Sequence, residues 1–148
     1  MQANSWPFVQ ITFSTLDADG TPHIHLDIAN KGVGPARIET LEVTYRGTPL
    51  SDPRAMLNAM LNRASAIPQS SEVVHSVLAA KEHLTFVEFN PQKFNVEDYA
   101  AIRAGVQRLQ FLACYCSVFD ECWIADTTKP RPSKVKQCST SKIPFQSG

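Results

Sequence analysis

The side chains with most chemistry to offer in this 148-residue sequence are its four cysteines and four histidines. Cys114, Cys116 and Cys122 lie within nine residues, and Cys138 follows at a distance. An even number of cysteines, clustered where strands pair, reads as disulfides in an oxidising compartment. The plain alternative is four reduced thiols in a cytosolic core, where cysteine is commonly buried. Cys116 and Cys122 flank the five residues Ser117 to Glu121. Opposite one another in an antiparallel pair, their Cα atoms come about 4.5–5.5 Å apart, within disulfide reach. Cys114 shares the face of Cys116 and is left to Cys138. Four cysteines allow three connectivities, and the sequence alone does not choose among them. The expected pairing is Cys116–Cys122 and Cys114–Cys138, the second pinning the tail onto the sheet.

Two further chemistries are open to these residues. Cys114-x-Cys116 with Cys122 nearby, together with His23-x-His25, offers the thiolates and imidazoles that suit Cu(I) or zinc. The paired Cys-x₂₋₄-Cys knuckles of a structural zinc site are missing, and His23 and His25 fall on the polar face of a strand. No metal and no cofactor is therefore expected. A thiol hydrolase needs a cysteine activated by a histidine or a helix N-terminus. Here the cysteines lie on or beside strands, and His75 and His83 read as surface residues. Glu97 and Asp98 are first-turn carboxylates favoured by the helix dipole, not an acid–base pair. No catalytic residue is assigned.

The elements that must position these residues follow from hydrophobic period. Val9, Ile11 and Phe13 alternate with polar neighbours over Phe8 to Thr15, a half-buried strand. Asp17-Ala18-Asp19-Gly20 turns the chain into a second strand, Pro22 to Asn30, with Ile24, Leu26 and Ile28 inward. The loop Lys31-Gly32-Val33-Gly34-Pro35-Ala36 is punctuated by two glycines and a proline. It lacks the Lys-Ser/Thr and following helix of a phosphate loop. A third strand covers Arg37 to Arg46, with Ile38 out of register and a bulge predicted near Glu39. Asp52-Pro53 starts a short helix with Met56, Leu57, Met60 and Leu61 on one stripe, ending near Arg63. A polar loop over 64–71 precedes two strands, Glu72 to Ala80 and Leu84 to Phe89, parted by the turn Lys81-Glu82-His83. Asn95 caps a second helix with Val96, Tyr99 and Ile102 spaced along it and Gly105 at its C-terminus. Val106 to Phe119 is the longest strand signal, apolar on both faces and hence central. Cys122 to Ala125 returns beside it. The fold predicted is all-β with two short helical insertions, an antiparallel β-sandwich of about seven strands. The sandwich occupies residues 1–127, and residues 128–148 form an extended tail.

Composition narrows the function class. Fourteen basic and fourteen acidic residues leave no net charge, and the sequence pI is about 6.9. The electrostatic footprint of a nucleic-acid or anionic-membrane binder is missing. No stretch reaches the roughly 20 apolar residues of a spanning helix. The opening Met1 to Pro7 lacks the basic and apolar regions of a signal peptide. The chain is therefore expected to be either cytosolic or the excised part of something larger.

Trp6-Pro7, the loop Asn30 to Ala36 and the segment Cys114-Tyr115-Cys116-Ser117-Val118-Phe119-Asp120-Glu121-Cys122-Trp123 resemble the extracytoplasmic part of uncharacterised bacterial membrane-anchored proteins. The resemblance spans Trp6 to Trp123 and departs at Lys81-Glu82, where a turn glycine would be expected. It implies an immunoglobulin-like sandwich on the periplasmic or extracellular face of a membrane, anchored by a segment absent from this sequence, and implies no activity. The expected function is a non-enzymatic interaction or sensing module recognising a protein, a peptide edge or a cell-envelope component. Contact is expected at Lys31, Gly32, Val33, Gly34 and Pro35 and at Val118, Phe119, Asp120 and Glu121, because loops at sandwich ends are where such domains bind. The rival reading is a periplasmic metal-handling or thiol-redox protein using Cys114, Cys116 and Cys122.

Overall fold

A computed structural model of the chain describes residues 6–63, 68–139 and 143–146. Strands β1 (Val9–Leu16) and β2 (Pro22–Asn30) form the expected hairpin, in register from Val9 opposite Asn30 to Ser14 opposite His25. β3 (Ala36–Tyr45) reverses through Arg46 and Gly47, at φ 50° and 84°, into β4 (Thr48–Leu50). Two successive positive φ values match the twist of the strands they join. Helix α1 (Pro53–Leu61) begins where Asp52 accepts the Ala55 N–H and Pro53 fills the first turn; Asn62, at φ 57°, ends it. The chain continues through β5 (Gln69–Ser70), β6 (Val77–Leu78) and β7 (His83–Phe89). Helix α2 (Val96–Gly105) is capped by the Asn95 side chain. Then come β8 (Leu109–Cys116), β9 (Cys122–Asp126) and β10 (Ser133–Val135).

The strands make two antiparallel sheets. One has the order β1-β2-β7-β5, the other β10-β9-β8-β3-β4, with β6 also on the outer edge of β3. β8 is central in its sheet, as its two apolar faces require. The β3–β8 pairing slips between Ile38 and Thr40, so Glu39 is the predicted bulge. Ile24, Leu26 and Ile28 enter one core with Ile38, Leu41, Val43, Phe111, Ala113 and Tyr115 from the other sheet. The Phe86 and Phe111 rings meet edge to face at 5.9 Å. Met56, Leu57, Met60 and Ile102 add the inward stripes of the two helices. Among the described residues, no helix is long and apolar enough to cross a membrane.

Several local expectations are corrected. The strand expected over Glu72 to Ala80 is absent. In its place the chain leaves the first sheet after β5, buries Val73, turns at His75 (φ 70°) and joins the second sheet as β6. An apolar run that changes sheets keeps its buried residues and loses its period. Ten strands are present among the described residues, four of them only two or three residues long. Such edge pieces carry no readable alternation. Phe13 is 43 % exposed, and Val96 stands in solvent at the start of α2. Period tells which side chains share a face, not whether anything covers that face. Gly105 keeps helical φ (−69°) and does not terminate by a left-handed turn, since the chain runs on into a 3₁₀ turn over Val106–Arg108. A Cβ on Gly105 would lie 2.7 Å from Met60 Cγ, so its missing side chain lets the two helices pack. Val106 to Arg108 and Ser117 to Phe119 lie outside β8. Residues 1–5 and the part of the polar loop over 64–67 lie outside the described residues.

Candidate functional site

The topology gathers both expected contact loops at one end. β2 ends and β3 begins around Lys31 to Pro35; β8 ends and β9 begins around Ser117 to Glu121. β3 and β8 are neighbours, with Arg37 opposite Cys116. The Arg37 guanidinium ties the ends together, donating to Asp120 Oδ1 at 2.7 Å and to Glu39 Oε1 at 3.0 Å. These bonds, that to Asp120 first, hold Arg37 above its ordinary range. The tip is a tight turn around buried Ser117. Its N–H donates to the Glu121 carbonyl at 2.7 Å, and its hydroxyl oxygen accepts the Phe119 N–H at 3.1 Å. Asp120 takes φ 59°, and Glu121 pairs with Lys134 at 2.8 Å. Val118 and Phe119 are left 57 % and 61 % exposed on this fixed turn.

The glycine–proline loop is different. Asn30, fully buried, accepts the N–H groups of Phe8 and Gly32 through its carbonyl oxygen. Its amide donates to the carbonyls of Gly34 and Leu78. Gly32 lies against the incoming chain, where a Cβ would sit 2.5 Å from Trp6 O and 2.6 Å from Phe8 N. Gly34 is buried and Pro35 half-buried, which leaves Lys31 and Val33 facing solvent. Sequence reasoning passed over Asn30. Its signal was register, since Ile24, Leu26, Ile28 and Asn30 share the inward face.

The cysteines pair as expected, Cys114 with Cys138 and Cys116 with Cys122. Cys116 and Cys122 face each other across β8 and β9, Cα atoms 4.0 Å apart. Phe111, Ala113 and Tyr115 point into the core, so Cys114 and Cys116 lie on the outer face of their sheet. The two disulfides abut: Cys116 Sγ is 3.7 Å from Cys138 Sγ. His23 and His25 belong to the outer face of the other sheet, so the thiolate–imidazole set weighed for a metal is not brought together. Nor are these histidines the solvated side chains expected. His23 Nδ1 meets Asp17 at 2.8 Å and its Nε2 meets Glu88 at 3.0 Å; His25 Nδ1 meets Asp27 at 3.1 Å. Asp98 binds Arg63 across the two helices, which lowers the carboxylate and raises the guanidinium from their ordinary ranges.

The tail is a strap. β10 pairs with β9, Cys138 is bonded to β8, and Phe145 is fully buried in the core. The Phe145 N–H donates to the Leu41 carbonyl and the Gln146 N–H to that of Ser51, both at 2.9 Å. Phe145 thus meets the edge of β3 between β6 and β4, and Gln146 bonds just beyond the end of β4. A cavity of about 710 Å³ has Glu39, Glu72, His75, Cys116 and Cys138 on its walls, together with Phe145 and Gln146 of the strap. No protein-family model, curated protein or solved structure matches the chain.

Proposed function

We propose that the chain is an immunoglobulin-like β-sandwich that works outside the cytoplasm as a non-enzymatic interaction or sensing module of a membrane-anchored protein. The strand orders β1-β2-β7-β5 and β9-β8-β3-β4 correspond to A-B-E-D and G-F-C-C′ of that fold. Two disulfides suit an oxidising compartment. The observation that carries the binding end is the hairpin tip, where Val118 and Phe119 project from a turn fixed by a disulfide, Ser117 and the Arg37–Asp120 pair. A rigid apolar tip loses little conformational entropy on contact. Lys31 and Val33, at the same end, extend the surface that a protein or envelope component would meet.

The test places a photo-crosslinking residue at Phe119 and, as a control, at exposed Thr12, in cells of the source organism. A discrete adduct from position 119 that Val118→Asp abolishes supports the reading. No adduct, or the same adduct from position 12, overturns the binding end. Thiol labelling in intact cells tests the compartment, because four freely labelled cysteines would place the chain in a reducing one. The thiol-redox reading keeps one observation in its favour, the contact between the two disulfides.

A further inference from the structure

The two disulfides are arranged as more than independent staples. Their four sulfurs form a compact array: a non-bonded gap of 3.7 Å parts Cys138 from Cys116, and the sulfurs of Cys116, Cys122 and Cys138 all lie within 4.8 Å of one another. Cys138 and Cys116 both line the 710 Å³ cavity beside the strap. Cys138 is half-buried, whereas the other three cysteines are at most 5 % exposed. We infer that the array is a thiol–disulfide exchange site for a small dithiol entering that cavity, and that two-electron reduction yields a Cys116–Cys138 bridge with Cys114 and Cys122 as thiols.

The steps balance. A dithiol thiolate attacks Cys138 Sγ, forming a mixed disulfide and expelling the Cys114 thiolate, which takes up a proton. The reagent's second thiolate attacks its own first sulfur, closing a cyclic disulfide and expelling the Cys138 thiolate. The dithiol is thereby oxidised by two electrons and one protein disulfide reduced. The Cys138 thiolate then attacks Cys116 Sγ, forming Cys116–Cys138 and expelling the Cys122 thiolate, which is protonated. This last step is an exchange with no net redox change. If the reagent opens Cys116–Cys122 first, the Cys116 thiolate attacks Cys138 Sγ and expels Cys114, and the same product forms. The strap ends tethered to β8 again, through Cys116 in place of Cys114, and what is released is the clamp between β8 and β9. The inference does not depend on the loop-end reading.

The test treats the full chain with one equivalent of dithiothreitol at pH 8, quenches with N-ethylmaleimide in acid and maps the peptides. The expected two-thiol species carries label on Cys114 and Cys122 and a Cys116–Cys138 bridge. Species that retain only Cys114–Cys138 or Cys116–Cys122 would overturn the inference. Cys114→Ser removes the need for a reductant, because it leaves the Cys138 thiol facing an intact Cys116–Cys122 bond. In that variant, checked for folding by circular dichroism, label is expected on Cys122 and not on Cys138. Label confined to Cys138 would refute the exchange.

Discussion

Asn30 makes four hydrogen bonds with one amide, joining the incoming chain, the glycine–proline loop and the start of the β6–β7 turn. Replacing it with Leu removes the partner of four backbone groups, the buried carbonyls of Gly34 and Leu78 and the half-buried N–H groups of Phe8 and Gly32. Each such group costs about 1–3 kcal/mol, so Asn30→Leu is expected to lose about 3 kcal/mol or more in urea unfolding. Two glycines separate by what their Cβ would meet. At Gly32 the neighbours are backbone atoms that cannot move aside, and Gly32→Ala should cost about 2 kcal/mol. At Gly105 the neighbours are Met60 Cγ, Sδ and Cβ, near the root of a buried side chain, so the crowding outweighs the helix gain of about 1 kcal/mol for Ala. Gly105→Ala is therefore expected to lose about 1 kcal/mol in the same measurement, less than Gly32→Ala. Tyr115 carries a pH dependence. Burial holds its phenol neutral, pushed up to about 12, while hydrogen bonding to the Val9 backbone works the other way. The unfolded chain gives up that proton near pH ~10. The folded state binds the proton more tightly, so this stabilisation is complete below about 10 and is lost as the pH rises through about 12. Tyr115→Phe should flatten the stability profile across that window, and an unchanged profile would refute the assignment.

At the scale of elements, the two disulfides differ in what they hold. Their partners are separated by 24 and by 6 residues. Loop-closure entropy gives about 3 kcal/mol for the longer and about 2 kcal/mol for the shorter. Replacing Cys114 and Cys138 by Ala should thus lower Tm more than replacing Cys116 and Cys122, and the reverse order would show that the strap contributes little. What was legible in the sequence was local. The β1–β2 hairpin, the Glu39 bulge, the Asp52 and Asn95 caps and the Cys116–Cys122 pair each follow from residues close in sequence or directly opposed. What was not legible is set by distant partners. The break at His75 depends on two sheets being within reach, and β10 exists because β9 offers an edge. Lys81 accepts φ 68° where a glycine was expected, and its ammonium reaches the Lys31 carbonyl, a partner fifty residues away. The two loops proposed for contact were legible as loops. That β3 and β8 bring them to one end was a matter of topology.

For the molecule as a whole, the strap changes the status of the tail. Residues 128–148 read as an extension beyond the sandwich, yet Phe145 is part of the core and bonds to the edge of β3 at Leu41. Phe145→Ala is expected to cost about 3–5 kcal/mol, as for a buried phenylalanine, where an accessory tail would give almost nothing in calorimetry. No periodicity could announce this, since a single aromatic among Lys, Pro and Ser has no partners nearby in sequence. The strap also sets an order of assembly. A chain synthesised as far as Asp126 already carries the strands that make up most of both sheets, but the interval on β3 is open and the place of Phe145 is empty. Closure waits until residue 145 has been made and Cys138 has reached Cys114. Until then the edge of β3 stays open at Leu41 and the core lacks one of its largest side chains.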